Sequence, residues 1–484
     1  MTSHSHDDSP CPSRIPRRAA LRQGAILTAG VSSLCGSARP LRAATKRPEL
    51  NARILEAEVE FLDRTLDPPL RLSSGVITEV TEARARVTVQ VGEKRGIGRG
   101  SIYLSNLWSW PDPEIPHARR DAALRELCRR ISRDLPGLCG DEPAHPLELG
   151  LRLHAALTEE AEALPERSVP IDDPPVLARA LCGSPFDAAI HDAAGQALER
   201  SAFAFYEEPF SIPSADEAFP DEGACGAVAG LLRKPITRLK SWWVVGAQDD
   251  LEAVVAPAVR KRGDRCFKLK IGGEDPAADA DRTVEVFRFV RTLGIARPRL
   301  IADSNQGTPD ADSVAEYLER IRAADPEAFA ALLYLEQPTG RDIEKSAYGW
   351  TAVTRLKPVF LDEGLIHPRL SPFRLFETAR DQGWSGFALK TCKGHSFTLV
   401  AAAWAKRHGL EISLQDLTNP GLAAIHAALL AAHVPFVNEV ELNSPQFTPG
   451  ANREWLPRLS GLFEPRGGRH RLDFPIPNGL GSTL

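Results

Sequence analysis

Residues 266–271 read CFKLKI, and the placement of Lys268 and Lys270 within that run decides how the chain folds. Side chains on a strand alternate between its faces, so Phe267, Leu269 and Ile271 share one face while Lys268 and Lys270 share the other. The apolar face must meet covering helices, which turns both lysines toward the interior. Two ammonium groups inside a protein are costly unless they are paired or used in chemistry. Working outward, similar runs recur along the chain: SWWVVGA (241–247), RLIADSN (299–305), LLYLEQP (332–338), PVFLDEG (358–364), GFALKTCK (386–393), EISLQDL (411–417) and FVNEVEL (436–442). Helix-compatible stretches separate them. Eight strands alternating with helices predict a closed parallel barrel. A doubly wound open sheet is the rival, but no GxGxxG opens any of these units. Nearly every run ends in a charged or amide residue, which is where barrels of this kind place their chemistry.

The same parity argument applies along the series. Asp303 and Asn305 point inward with Ala302 outward, and Glu336 shares the interior with Tyr334. Val359 and Leu361 suit the helix-facing layer, so Asp362 points inward and Glu363 bonds to the groups around it. Lys390 points inward above the small Ala388, while Lys393, past the strand end, reads as a solvated loop residue. Three carboxylates on three successive strands repel one another unless a hard cation with oxygen ligands joins them. Mg2+ is the expected ion, with Mn2+ as the alternative. Lys270 and Lys390 then stand across the barrel from one another, the placement needed for two acid–base groups flanking one substrate carbon.

Upstream the rhythm differs. From Pro69 to Gly100 two alternating runs, Val76–Val80 and Ala85–Val91, precede a Gly-rich turn. Helical stretches are expected over His117–Arg133, Pro146–Leu164 and Pro174–Glu199. Strands first and helices after describe an α+β module. The N-terminal segment holds Arg17-Arg18, a weakly apolar run from Ala25 to Leu34, and small residues after it. It resembles a twin-arginine export signal over residues 1–45, which predicts a periplasmic protein; the alternative is a cytoplasmic protein with an uncleaved tail. The run is too short to span a bilayer. With 59 basic against 64 acidic residues and no basic stripe, nucleic acid is not an expected partner. The six cysteines outside that segment show no CxxC pair, so free buried thiols are expected.

As an ordered set, KLK (268–270), IADSNQG (301–307), LEQP (335–338), LDEG (361–364), ALKTCK (388–393), SPFDAAIHDAAGQAL (184–198) and PNGLG (477–481, with Pro477 opening the tail) resemble the muconate-lactonizing-enzyme subgroup of the enolase superfamily. The resemblance implies a (β/α)7β barrel over about 236–442. It also implies an N-terminal α+β capping domain over 67–200, completed by about 443–484. It further implies Mg2+ on Asp303, Glu336 and Asp362, with Lys270 and Lys390 as the acid–base pair and Lys268 beside Lys270, lowering its pKa. The expected chemistry is abstraction of the proton alpha to a carboxylate, through an enediolate. Racemisation or epimerisation of an amino-acid derivative or dipeptide-like carboxylate is the leading expectation, and dehydration, cycloisomerisation or a silent binding homologue the alternatives. A small-molecule carboxylate is the expected ligand and a homo-oligomer the expected assembly. Asn305, Glu363, Gln415, Asp416, Glu439 and Glu441 are candidate contacts to the substrate or to the residues that hold it. The last strand departs from the family: dipeptide epimerases carry Asp-x-Asp there, whereas this chain has Glu441-Leu442-Asn443.

Overall fold

The computed structural model describes residues 50–72, 75–159 and 173–484, so the export-signal segment and the expected helical residues 160–164 lie outside the described residues. The chain from Glu49 to Leu484 forms one compact unit. It opens with an antiparallel sheet of β1 (Ala52–Leu72), β2 (Gly75–Val91) and β3 (Lys94–Tyr103), in that order. The cap therefore starts well before residue 67, and the two short runs expected within 76–91 are one continuous strand. Alternation explains β1: Glu56, Glu58 and Glu60 face solvent, while Ala57, Val59 and Phe61 pack on the core.

Three helices cover this sheet: α1 (His117–Cys139), α2 (Pro146–Thr158) and α3 (Val176–Leu198). α3 is buried along nearly its whole length. It can lie directly on β3 because Gly96, Gly98 and Gly100 present no side chain. A Cβ at Gly98 would sit 2.2 Å from the Ala189 carbonyl oxygen, and one at Gly100 2.0 Å from that of Pro185. The C-terminal tail returns to the same helix, where Asp192 accepts from the backbone N–H of Arg99 at 3.0 Å and of Leu480 at 2.8 Å.

Seven parallel strands follow: β4 (Trp242–Val245), β5 (Cys266–Lys270), β6 (Arg299–Asp303), β7 (Leu332–Glu336), β8 (Val359–Leu361), β9 (Gly386–Lys390) and β10 (Glu411–Gln415). They are hydrogen-bonded in chain order, β4 at one edge and β10 at the other. The main helices between them are α4 (Pro276–Thr292), α5 (Ala311–Ala324), α6 (Pro372–Asp381) and α7 (His395–Arg407), with α8 (Gly421–His433) after β10. The expected eighth strand is not a regular one. Residues 437–441 bond to β10 through Val437 N–H to Ile412 and Glu441 N–H to Leu414. The Asn438 side chain takes over part of the ladder, bonding both N–H and C=O of Leu414, and its own carbonyl accepts from the Trp242 indole at 2.9 Å. An amide side chain thus bridges the two sheet edges where a backbone ladder was expected.

Parity sorts the interior into two levels. Trp242, Cys266, Ile301, Tyr334, Phe360 and Ala388 form an apolar cluster of their own inside the ring. Two residues further along the same strands stand Lys268, Asp303, Glu336, Asp362 and Lys390, all buried. Phe267, Leu269, Val359 and Leu361 belong instead to the large core shared with the helices. The apolar floor is a packed layer, and the charged level above it opens toward the cap.

Candidate active site

The charged level alternates in sign across the barrel. Lys268 Nζ lies 3.1 Å from Asp303 Oδ2 and 2.8 Å from Glu336 Oε2. Lys390 Nζ lies 3.0 Å from Glu336 Oε1 and 2.8 Å from Asp362 Oδ2. Lys270 closes one end, 2.5 Å from Asp303 Oδ2 and 2.8 Å from Asn305 Oδ1. Lys393 closes the other, 2.5 Å from Asp362 Oδ1. Lys393 is therefore not the solvated loop residue that its position past β9 suggests; it is fully buried, because Asp362 needs a second partner and the short turn after β9 folds the side chain back inside. Burial works against the Lys390 charge, but the Asp362 and Glu336 carboxylates outweigh it and hold its pKa above the ordinary lysine range. Lys268 is held up in the same way by Glu336, Glu441 and Asp303.

The backbone is bent to present these groups. Asn305, Gln306 and Gln337 have φ of 44°, 73° and 33°, a left-handed conformation that costs free energy and clusters at working sites. Gln337 reaches across to accept from the N–H of Asp362 at 2.9 Å and of Gly364 at 3.1 Å, tying the end of β7 to that of β8. Glu363 accepts from the Trp108 indole at 2.9 Å and from Asn305 Nδ2 at 3.3 Å. Burial, followed by the charges of Asp362 and Asp303, pushes its pKa up to about 7.

Gln415 sits between the lysines. Its Oε1 accepts from Lys268 and from Lys390, each at 2.9 Å, and its Nε2 donates to the Tyr334 hydroxyl. Asp416 accepts from the backbone N–H of Asn419 and of Asn443, and burial pushes its pKa up to about 7. Glu441 accepts from Asn443 Nδ2 at 2.6 Å and pairs with Lys268 at 3.3 Å. Glu439 is not brought to the site. It binds Lys240 and lies 4.0 Å from Arg469, fastening a two-stranded ribbon of Arg238–Lys240 and Arg469–Arg471, because its left-handed φ of 64° turns it out of the barrel register.

A cavity of about 50 Å³ lies over the charged level. Lys268, Lys270, Asp303, Asn305 and Lys390 face it from the barrel, Asp416, Leu417, Thr418, Glu441 and Asn443 from the ends of the last strands, and Leu66, Leu70, Ile77, Val80, Tyr103 and Trp108 from the cap. The donor set fits a hard cation. Glu336 Oε2 and Asp362 Oδ2 are buried, receive no directed hydrogen bond, and meet lysine ammonium groups at 2.8 Å. Elsewhere among the described residues, Asp342, Glu344 and His367 bring possible ligand atoms within 4.8 Å of one another. That group is already closed. Arg369 binds both carboxylates, and His367 Nδ1 faces the Arg369 backbone N–H, so Nε2 carries the proton it donates to Asp342.

Residues 250–484 match the enolase C-terminal domain-like family. The fold is that of muconate lactonizing enzyme from Pseudomonas fluorescens, solved with muconolactone, at a TM-score of 0.59 and 18% identity over 90% of this chain and 97% of that one. Residues 250–484 are thus similar to the enolase C-terminal domain, and the chain shares its fold with solved muconate lactonizing enzymes. Other solved structures it resembles include an enolase from Bradyrhizobium complexed with magnesium and mandelic acid (TM-score 0.55, 19% identity, 89% of this chain and 95% of that one). A dipeptide epimerase from Enterococcus faecalis V583, complexed with Mg and L-Leu-L-Tyr, gives 0.55 at 15% identity over 81% and 91%. No curated protein matches in sequence. At these identities the likeness is one of fold, and the reaction has to be argued from the site.

Trp108 is the residue that strand parity could not find. It comes from the cap, its backbone carbonyl accepts from Arg341 at 3.2 Å, and its ring lies 5.9 Å from Lys390 and 5.8 Å from Lys393. The usable signal was the LWSW run (107–110) in a short connection, where two large aromatics need a surface to cover.

Proposed function

We propose that this protein removes and returns the proton alpha to a carboxylate, with racemisation or epimerisation of an amino-acid derivative or related carboxylate as the net reaction. The observation that carries this reading is the pair Lys270 and Lys390. They end β5 and β9, with three strands between them in the sheet; Lys270 lies at the Asp303 end of the carboxylate row and Lys390 between Glu336 and Asp362. When bound to those three carboxylates, Mg2+ supplies positive charge where the substrate carboxylate gains negative charge as its alpha proton leaves. Lys270 takes or returns a proton on one face of the alpha carbon and Lys390 on the other. Asn305 positions Lys270 through its Oδ1, and Gln415 positions Lys390 through its Oε1. Lys268, held by four oxygens and wholly buried, fixes the charge pattern between them and stabilises the enediolate electrostatically. Trp108 covers the Lys390 side and keeps water from the reacting carbon.

The test is proton exchange at the alpha carbon in heavy water, scored separately for each stereoisomer. Lys270→Ala should still exchange one isomer and Lys390→Ala the other, with neither completing inversion. Each loss should fall in the range of about a hundred- to ten-thousand-fold that positioned acid–base groups contribute. If one variant keeps full turnover while the other is dead, a single lysine carries the chemistry and elimination or cycloisomerisation takes its place. A loss below tenfold in both removes the lysines from the mechanism.

A further inference from the structure

Strands β4, β5 and β6 begin at the end of the barrel opposite the charged level, and that end carries an excess of exposed positive charge. Arg238 stands in the ribbon ahead of β4, Lys261 and Arg265 in the stretch leading into β5, Arg297 and Arg299 at the entry to β6, and Arg466 just before the ribbon's second strand. All six are exposed and make no ion pair among the described residues. Backbone hydrogen bonds hold their segments side by side. The Arg299 N–H donates to the Arg265 carbonyl at 2.9 Å, the Gly468 N–H to the Arg262 carbonyl at 2.9 Å, and the Ser241 N–H to the Gly468 carbonyl at 3.0 Å. In these segments Asp264 and Asp473 already hold Arg262 and Arg471, and Glu439 beside them holds Lys240, which leaves Glu464 as the acid without a cation. Unpaired cations are thus gathered at one end of a chain whose net charge is −5.

We propose that this end of the barrel rests on an anionic lipid bilayer, its cations against the lipid phosphates, while the charged level and its cavity face away. Two observations turn the choice from nucleic acid to a bilayer. The ribbon lies flat on the barrel with Leu239 and His470 buried, so it cannot enter the groove of a duplex. The Trp243 ring is covered by the Arg262 guanidinium, 4.9 Å from its centroid, and is not offered to an unstacked base. A protein partner would need an apolar centre to the interface, and the exposed large apolar side chains, Val76, Ile97 and Ile476, all lie in other segments. For the same reason nothing here inserts into the bilayer. The contact is electrostatic and is released by salt.

The test is sedimentation of the full chain with vesicles of phosphatidylcholine alone and of phosphatidylcholine mixed with phosphatidylglycerol, over a series of salt concentrations. Binding should require the phosphatidylglycerol and fall as salt rises. Each cation at an anionic surface is worth roughly fivefold in affinity, so Arg265→Ser with Arg466→Ser should weaken binding by about 25-fold. Lysine at the same two positions should bind as wild type does, and so should Lys94→Ser with Arg95→Ser, which removes two exposed cations at the start of β3. The N-terminal segment with Arg14, Arg17 and Arg18 is present in every protein compared, so hydrogen exchange locates the contact. Vesicles should protect residues 259–265 and 466–471. Equal binding to both vesicles, no binding to either, an undiminished serine variant, or protection confined to residues 1–48 overturns the proposal. Tighter binding to duplex DNA than to the mixed vesicles, lost in the same serine variant, assigns the face to nucleic acid and overturns it as well. None of these outcomes bears on the proton transfer, which belongs to the other end of the barrel.

Discussion

Asp187 links the cap to the turn that carries Lys390 and Lys393, and its removal has a calculable effect. It lies on α3, and its two oxygens accept from Ser396 N–H at 2.8 Å and Ser396 Oγ at 2.7 Å, which caps the start of α7. His191 Nε2 lies 2.9 Å from the same hydroxyl. Asp187→Ala deletes a cap worth about 1 kcal/mol. It also strands a buried amide and hydroxyl at about 1–3 kcal/mol. The total of about 2–4 kcal/mol corresponds to roughly 30- to 1000-fold less hydrogen-exchange protection of the first turn of α7. Asp187→Asn should retain the cap, because its amide nitrogen can donate to Ser396 Oγ while its oxygen still accepts from the backbone. The two proteins should then differ in pH dependence. Burial pushes the Asp187 pKa up to about 6, against the Ser396 hydrogen bonds that lower it. A raised acid favours the folded state as it protonates, so wild type gains stability over Asp187→Asn as pH falls from about 6 to about 4. That gain is about 3 kcal/mol and is absent above pH 7. His154, His191 and His395 face the same turn and are pushed down by burial; their contribution is common to both proteins except for the part that His191 owes to Asp187, 3.6 Å away. Because the strut acts through the Lys390 turn, Asp187→Ala should slow exchange of the Lys390-dependent isomer more than that of the Lys270-dependent one. Unchanged protection of residues 396–400 in Asp187→Ala would refute the reasoning, as would an Asn variant with the wild-type pH dependence.

Two further outcomes are expected. Glu336→Gln, which removes the carboxylate shared by Lys268 and Lys390, should weaken calorimetrically measured Mg2+ binding by at least about tenfold. Asp342→Asn should leave it unchanged, since Arg369 already closes that cluster; the reverse pattern would move the metal site. Export through the twin-arginine route is a proposal resting on Arg17-Arg18, and replacing both with lysine should retain the protein in the cytoplasm on fractionation. Unchanged periplasmic recovery would discard it.

What was legible in the sequence follows one physical rule, and what was not breaks that rule. Strand parity is a local property, so CFKLKI, LLYLEQP and GFALKTCK were enough to place Lys268, Glu336 and Lys390 inside and Phe267, Leu335 and Leu389 against the helices. Parity fails once the chain leaves regular strand geometry. Lys393 ends a 3-10 turn, so its direction depends on which carboxylate it can reach, and Asp362 is fixed only by tertiary structure. Glu439 sits at a left-handed residue in a segment read as a strand, and one such residue is enough to turn a side chain from the barrel mouth to an outer ribbon. Trp108 and the Leu66–Val80 roof belong to another module, joined to the site through contacts more than a hundred residues distant in sequence. In the proposed reading the charged level they cover would carry the proton transfer, and these residues would bear on which substrate fits. The placement of side chains held on regular strands can therefore be deduced from a single chain, whereas contacts built from loops and from a second module become visible only when the parts are seen folded together.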